Sequence, residues 1–186
     1  MNEKAISQYL SFILRHKPEE IDLTLDREGW ANIEELISKS QPVKNVVLDE
    51  EIIKSIVSNS DKKRFQISDD GKFIRAVQGH STVSVDITLK KLVPPISLYH
   101  GTAQRFIDSI KEQGLISKDR QYVHLTENKD TALSVGTRYG KPEILIIHAL
   151  EMHKNGFEFF QAENGVWLVK HVPIEFISFL GLCCIN

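Results

Sequence analysis

Arg15, His16 and Lys17 set a guanidinium, an imidazole and an ammonium side by side, directly before Pro18. A guanidinium fork matches two phosphate oxygens at once. An imidazole titrates near neutral pH and can move a proton. The plainer reading is a group of cations set against the C-terminal dipole of a helix. Lys62-Lys63-Arg64-Phe65 offers a second basic stretch, which either meets a phosphate or guards an edge strand by charge. In Gln78-Gly79-His80-Ser81 the glycine permits close backbone approach, and His80 and Ser81 offer hydrogen bonds to a polar ligand. A simple turn explains that spacing equally well. Further on, Tyr99-His100-Gly101-Thr102 and Val123-His124-Leu125-Thr126 each end a strand-like run, and Arg120 stands just upstream of the second. A lone histidine is ordinarily structural; two in matching contexts fit a shared polar cleft as well as they fit two structural residues.

Absent motifs narrow the chemistry. Neither Gly-x-Gly-x-x-Gly nor Gly-x-x-x-x-Gly-Lys-Ser/Thr occurs, so a Rossmann cofactor site and a P-loop have no support. His-Glu-x-x-His is missing too, and Cys183 and Cys184 are adjacent, which suits neither an ordinary disulfide nor a metal site. No metal is expected, and a reducing cytoplasm fits. The net charge is −2, and on neither side of Val93 do bases outnumber acids. A broad electrostatic footprint for nucleic acid is therefore excluded, and any RNA contact rests on a few placed cations. With 41% hydrophobic and 26% charged residues the composition is that of a soluble globular chain. Met1-Asn2-Glu3-Lys4 does not open a signal peptide, and the longest apolar run, Ile144 to Leu150, is broken by His148 and too short for a bilayer.

The elements that must position these residues are helical first. Ile6, Leu10, Ile13 and Leu14 fall at helical spacing, and Pro18 closes that helix. Asp26 to Trp30 carries a glycine turn, Asn32 and Glu35 make a capping pair, and Leu48 to Ser58 repeats the helical pattern. Arg64 to Ser68 and Lys72 to Gln78, joined by Asp69-Asp70-Gly71, read as a hairpin. Three short helices followed by a ribbon suggest a winged helix-turn-helix. Pro94-Pro95 marks the expected boundary, giving domains 1–93 and 94–186.

In the second part, strands over Ile96 to His100, Tyr122 to Thr126 and Glu143 to Leu150 alternate with helices over Ala103 to Gln113 and Lys129 to Tyr139. Phe157 to Gln161 and Val166 to His171 flank a turn at Glu163-Asn164-Gly165, and Ile174 to Leu180 gives a last strand. Tight turns between successive strands argue against a parallel doubly wound sheet. The fold class expected is α+β.

Taken in order, Leu14-Arg15-His16, Asp26 to Trp30, Asp61 to Phe65, Ala76 to Ser81, His100-Gly101-Thr102, Val123-His124-Leu125 and Asn164 to Leu168 form one pattern. Each is weak singly, but together they are specific. The chain closely resembles the RNA 2′-phosphotransferase family from about residue 7 to residue 180. The resemblance implies an N-terminal winged-helix lobe and a C-terminal ADP-ribosyltransferase-like lobe with a split sheet. It also implies NAD as a consumed co-substrate, with no metal. The family's catalytic group falls on Arg15, His16, Arg64 and Arg120. His100, Gly101, Thr102, His124, Thr126 and Val166 match its NAD site, with Gly101 expected to let the backbone approach the nicotinamide amide. Lys63, Arg75, His80 and Ser81 fall at contacts to RNA or its phosphate. Val166 stands where many protein-modifying ADP-ribosyltransferases place a catalytic glutamate, and an apolar residue suits a phosphate nucleophile that needs no base.

The implied activity removes an internal 2′-phosphate from RNA by transfer to NAD, through an ADP-ribosylated RNA. The products are nicotinamide and ADP-ribose 1″,2″-cyclic phosphate. Two alternatives stand beside it: ADP-ribosylation of nucleic-acid terminal phosphates, and a non-catalytic winged-helix module that binds nucleic acid. The expected partners are RNA carrying an internal 2′-phosphate and NAD, with no membrane, and a monomer is the default.

Overall fold

In the computed structural model the periodicity of Ile6, Leu10, Ile13 and Leu14 becomes α1 (Glu3–Arg15), with all four side chains buried. The structure describes residues 3–60, 63–82 and 84–180, so Lys62, Cys183 and Cys184 lie outside the described residues. The chain divides into two compact units, Met1–Thr88 and Leu89–Asn186. Each has its own apolar core.

In the first unit, Pro18 opens a single 3-10 turn, Pro18–Ile21. Its ring cannot continue the hydrogen bonding of an α-helix, so α1 has to end before it. β1 (Ala31–Asn32) leads into α2 (Ile33–Lys39), which starts where the Asn32 side chain accepts a 2.9 Å hydrogen bond from the Glu35 N–H. α3 (Glu50–Ser58) is capped in the same way by Asp49, and it buries Ile53 and Ile56. β2 (Phe65–Ile67) and β3 (Phe73–Ala76) then form an antiparallel hairpin. At its turn the Ser68 hydroxyl donates to Asp70, and Gly71 takes φ +74°. β1 adds to the free edge of β3, so the sheet has three strands in the order β1-β3-β2. A two-residue strand is too short to show alternation, which is why the sequence suggests only a ribbon.

The second unit begins earlier than Pro94-Pro95. Its first strand, β4 (Lys90–Lys91), pairs with residues far along the same unit, and that pairing carries the boundary back to Thr88. Next come β5 (Leu98–Ala103), α4 (Ile107–Gln113), β6 (Leu115–Ile116), β7 (Val123–Leu125) and α5 (Lys129–Gly136). β8 (Pro142–Ile147), α6 (Ala149–Lys154), β9 (Phe160–Gln161), β10 (Trp167–Val169), β11 (His171–Val172) and β12 (Ile177–Phe179) complete it. The strands form sheets in the orders β4-β9-β10-β7, β11-β6 and β12-β8-β5. Every strand pairing recorded in this unit is antiparallel. With six α-helices and several small sheets among the described residues, the class is α+β. No helix among the described residues is long and apolar enough to cross a membrane.

Two sequence expectations are corrected here. The strand expected to run to Leu150 stops at Ile147, and α6 takes over at Ala149. A short apolar run looks the same in a strand and in a buried helix; here Ala149 and Met152, one turn apart, both point into the core. Ile174 to Leu180 is also not one strand, since a 3-10 turn over Ile174–Phe176 precedes β12.

Leu98, Leu145, Ile147, Met152 and Phe159 have no exposed surface. Burying a Leu, Ile, Met or Phe side chain fully contributes about 1.5–3 kcal/mol. α5 lies close against the backbone of β5. A Cβ on Gly101 would lie 1.7 Å from the Ala132 carbonyl oxygen, and one on Gly136 would lie 2.5 Å from that of Thr102. Glycine at 101 is therefore demanded by the helix above it, because backbone cannot move aside as a side-chain tip can. Gly101→Ala should cost about 3 kcal/mol in urea unfolding, the upper end of overpacking. Gly71→Ala, in open space at a left-handed φ, should cost only about 1–2 kcal/mol. Equal stability of Gly101→Ala and the wild type would disprove the close contact.

Candidate functional site

In the first unit the candidate side chains meet at the C-terminal end of α1. The chain leaves β3 at Ala76, and the Val77 N–H donates to the Arg64 carbonyl at 3.0 Å, which sets Arg64 beside the start of the returning segment. Gly79, at φ +89°, turns the chain against Arg15, and a Cβ there would lie 3.7 Å from the guanidinium Nη1. Ser81 then donates its N–H to the Arg15 carbonyl at 3.0 Å, and the Thr82 hydroxyl donates to the same oxygen at 2.9 Å. The Ser81 Oγ lies 2.9 Å from His16 Nδ1. Arg15, His16, His80 and Ser81 are thus brought together.

Lys63 and Arg64 differ from that group. The side chains of both make no hydrogen bond or ion pair among the described residues, and Lys63 adopts φ +38°. Arg75 is held elsewhere. Its Nε donates to Gln66 Oε1 at 2.8 Å, its Nη1 lies 3.5 Å from Glu28 Oε2, and its guanidinium stacks 4.5 Å from the Trp30 ring centre. Glu28 in turn accepts from the Thr88 hydroxyl at 2.7 Å. The side chain of Arg75 is only 12% exposed, which suits a structural tie between the sheet and the Asp26–Trp30 turn.

The second unit assembles another cluster. Tyr99 and Thr126 exchange backbone hydrogen bonds of 2.7 and 3.0 Å, which joins the start of β5 to the end of β7. Across that junction His100 Nδ1 donates to the His124 carbonyl at 3.0 Å. Arg120 Nη1 donates to His124 Nδ1 at 3.1 Å. Leu168 of β10 stands opposite His124, and Val166 lies just before that strand, its N–H facing the Asn164 side chain at 3.4 Å. The Thr126 hydroxyl accepts from the Asn128 N–H, and Thr102 is buried. Among the described residues, no group of three or more His, Cys, Asp or Glu side chains could hold a metal ion.

A model of the RNA 2′-phosphotransferase, Tpt1 / KptA family matches residues 1–171. The chain belongs to this family. A protein of Pectobacterium carotovorum described as a probable RNA 2′-phosphotransferase is 58% identical over 173 residues, covering 93% of this chain and 92% of its own length. Proteins of the same description from Escherichia coli O45:K1 and Shigella boydii are each 53% identical over 180 residues. Those alignments cover 95% of this chain and 92% and 97% of the respective relatives. Membership of the RNA 2′-phosphotransferase family carries a coarse activity, that of a transferase acting on a 2′-phosphate of RNA.

Two histidines have charges set by their surroundings. Burial, with Arg15, His16 and Arg75 nearby, pushes the pKa of His80 down to about 4. Burial lowers that of His100 as well, with Arg120 acting in the same sense and the bond to the His124 carbonyl opposing them. Both imidazoles are neutral at pH 7. His100, with its proton on Nδ1, therefore presents a bare Nε2 that accepts hydrogen bonds. His124 accepts at Nδ1 from an arginine, so its neutral ring carries the proton on Nε2.

Thr82 and Glu28 are the participants that sequence reasoning overlooked. A second hydroxyl directly after Ser81, and an acid inside the Asp26–Trp30 turn, were the only signals for them.

Because the folded-state pKa of His80 lies below its unfolded value near 6.5, the unfolded chain takes up a proton first as pH falls. Stability contributed by neutral His80 is complete above pH 6.5 and is lost progressively down to about pH 4, by about 3 kcal/mol in all. Urea titrations at pH 7 and pH 4 should show that much less decline for His80→Gln than for the wild type. An identical decline in both proteins would assign the acid sensitivity to other groups.

Proposed function

We propose that the chain removes an internal 2′-phosphate from RNA by transferring it to NAD, within the cytoplasm, with Leu89–Asn186 serving as an ADP-ribosyltransferase-like NAD-binding unit and Met1–Thr88 as a winged-helix-like unit for RNA phosphate. The observation that carries this reading is the fixed tautomer of His100. A neutral imidazole whose Nδ1 proton is held by a backbone carbonyl is a permanent acceptor at Nε2. It suits a ribose hydroxyl, which donates, and it is a poor partner for a phosphate oxygen, which only accepts.

In the first step a 2′-phosphate oxygen of the RNA forms a bond to C1″ of the nicotinamide ribose, and the bond to nicotinamide breaks with its electron pair leaving on that base. In the second, the ribose 2″-hydroxyl attacks the phosphorus, its proton is removed, and the RNA 2′-oxygen departs and is protonated. The phosphorus passes through a centre with added negative charge. Arg15, Arg64 and Arg120 are the groups we assign to that charge, since guanidinium donors aimed at it stabilise it. His16 is assigned the proton of the attacking hydroxyl. Val166 supplies no base, and the first step asks for none, because a phosphate is already ionised.

The test is RNA with one internal 2′-phosphate, incubated with and without NAD. The phosphate should be lost only with NAD, with release of nicotinamide and ADP-ribose 1″,2″-cyclic phosphate. Arg64→Ala and Arg120→Ala should slow the second step about 10²–10³-fold and let ADP-ribosylated RNA accumulate. Normal turnover by either variant would remove it from the phosphate group, and dephosphorylation without NAD would overturn the whole reading.

A further inference from the structure

We propose that Ser81 is a positioning residue that acts through His16, holding the imidazole ring while its proton comes and goes, and is not a contact to the RNA phosphate. The inference rests on the assignment of His16 as the proton-moving group.

Ser81 is tied to the end of α1 by both its backbone and its side chain. Its N–H is held by the Arg15 carbonyl at 3.0 Å, and its hydroxyl oxygen stands 2.9 Å from His16 Nδ1. Thr82 adds a third tie at 2.9 Å to the same carbonyl. The 65 residues that separate Ser81 from His16 in sequence are thereby closed into fixed local geometry, set by a β3 that ends at Ala76 and a turn at Gly79.

The partner's chemistry matters as much as its distance. A carboxylate beside Nδ1 only accepts, so it would keep a proton there and raise the basicity of the ring. A serine hydroxyl both donates and accepts. When Nδ1 is bare, the hydroxyl donates to it. When Nδ1 carries a proton, the hydroxyl rotates and accepts. The same contact therefore survives in each protonation state and tautomer of His16; while Nε2 takes up and returns a proton, Nδ1 keeps its own and the hydroxyl accepts it, so the ring keeps its place.

Three measurements test this. With 2′-phosphorylated RNA and NAD, Ser81→Ala should lower kcat roughly 10- to 100-fold, the scale of a misplaced catalytic group, with KM for both substrates within about twofold. Ser81→Thr, which keeps the hydroxyl, should recover most of that loss. In a His16→Ala background Ser81→Ala should cost nothing further, because a residue that acts only through another has no effect once that other is gone. The third measurement needs no turnover. The His16 ring nitrogen resonances, assigned by their absence in His16→Ala, should move in Ser81→Ala and return in Ser81→Thr. Should Ser81→Ala not fold, Ser81→Cys keeps the size and weakens the hydrogen bond, and it reads out the same way. A raised KM for RNA at unchanged kcat, or a full additive loss in the His16→Ala background, would overturn the proposal. A wild-type protein that turns nothing over would sink the proposed reaction instead, and the resonances would still decide whether Ser81 holds the ring.

Discussion

The last turn of any helix leaves carbonyls that nothing inside the helix can satisfy, and where α1 ends that demand falls on Arg15. Its carbonyl oxygen takes two donors from one returning segment, the N–H of Ser81 and the hydroxyl of Thr82. The rest of the first unit's polar cluster follows from that attachment. Once Ser81 is docked there, its hydroxyl reaches His16, Gly79 lies against the Arg15 guanidinium, and His80 is carried inside. The pairing of Val77 with Arg64 upstream is what delivers the segment at the right place. A general obligation of helix termini thus becomes the device that gathers a guanidinium, two imidazoles and a hydroxyl.

Gathering cations is unfavourable unless something offsets it, and the structure does so by keeping part of the group uncharged. His80 is buried among Arg15, His16 and Arg75 as a neutral ring. A charged imidazole there would add repulsion and a desolvation cost to an already positive neighbourhood. Arg75 is stabilised by Gln66, by the Trp30 face and by Glu28, whose carboxylate offsets part of its charge. Arg75 is thereby tied to the sheet and to the Asp26–Trp30 turn.

Much of this was legible in the sequence where the signal is local. The face of α1, the Asn32 cap and the Asp69-Asp70-Gly71 turn are each written in a few neighbouring residues, and each forms as read. What was not legible depends on contacts distant in sequence. β1 is two residues long and exists because β3 has a free edge. The boundary at Thr88 follows from the pairing of Lys90 and Lys91 with Phe160 and Gln161, which prolines at 94 and 95 cannot reveal. Gly101 invites a reading as an opening for a ligand, yet the face its Cβ would occupy is filled by the backbone of α5. The α6 segment was misread because an apolar run carries no phase of its own. The histidines were visible as residue types, but their tautomers were not, since those depend on partners brought by other strands.

Those tautomers also explain why two similar histidines in the second unit need not do the same work. His100 faces a carbonyl, which can only accept, so its Nδ1 must donate and its Nε2 is left to accept. His124 faces a guanidinium, which can only donate, so its Nδ1 must accept and its neutral ring carries the proton on Nε2. Both partners come from the same short stretch around β7, because Arg120 lies one turn of chain before His124 and the carbonyl is that of His124 itself. Backbone pairing between Tyr99 and Thr126 sets the two rings in register. The second unit therefore presents one imidazole acceptor and one imidazole donor from sequence motifs that look alike.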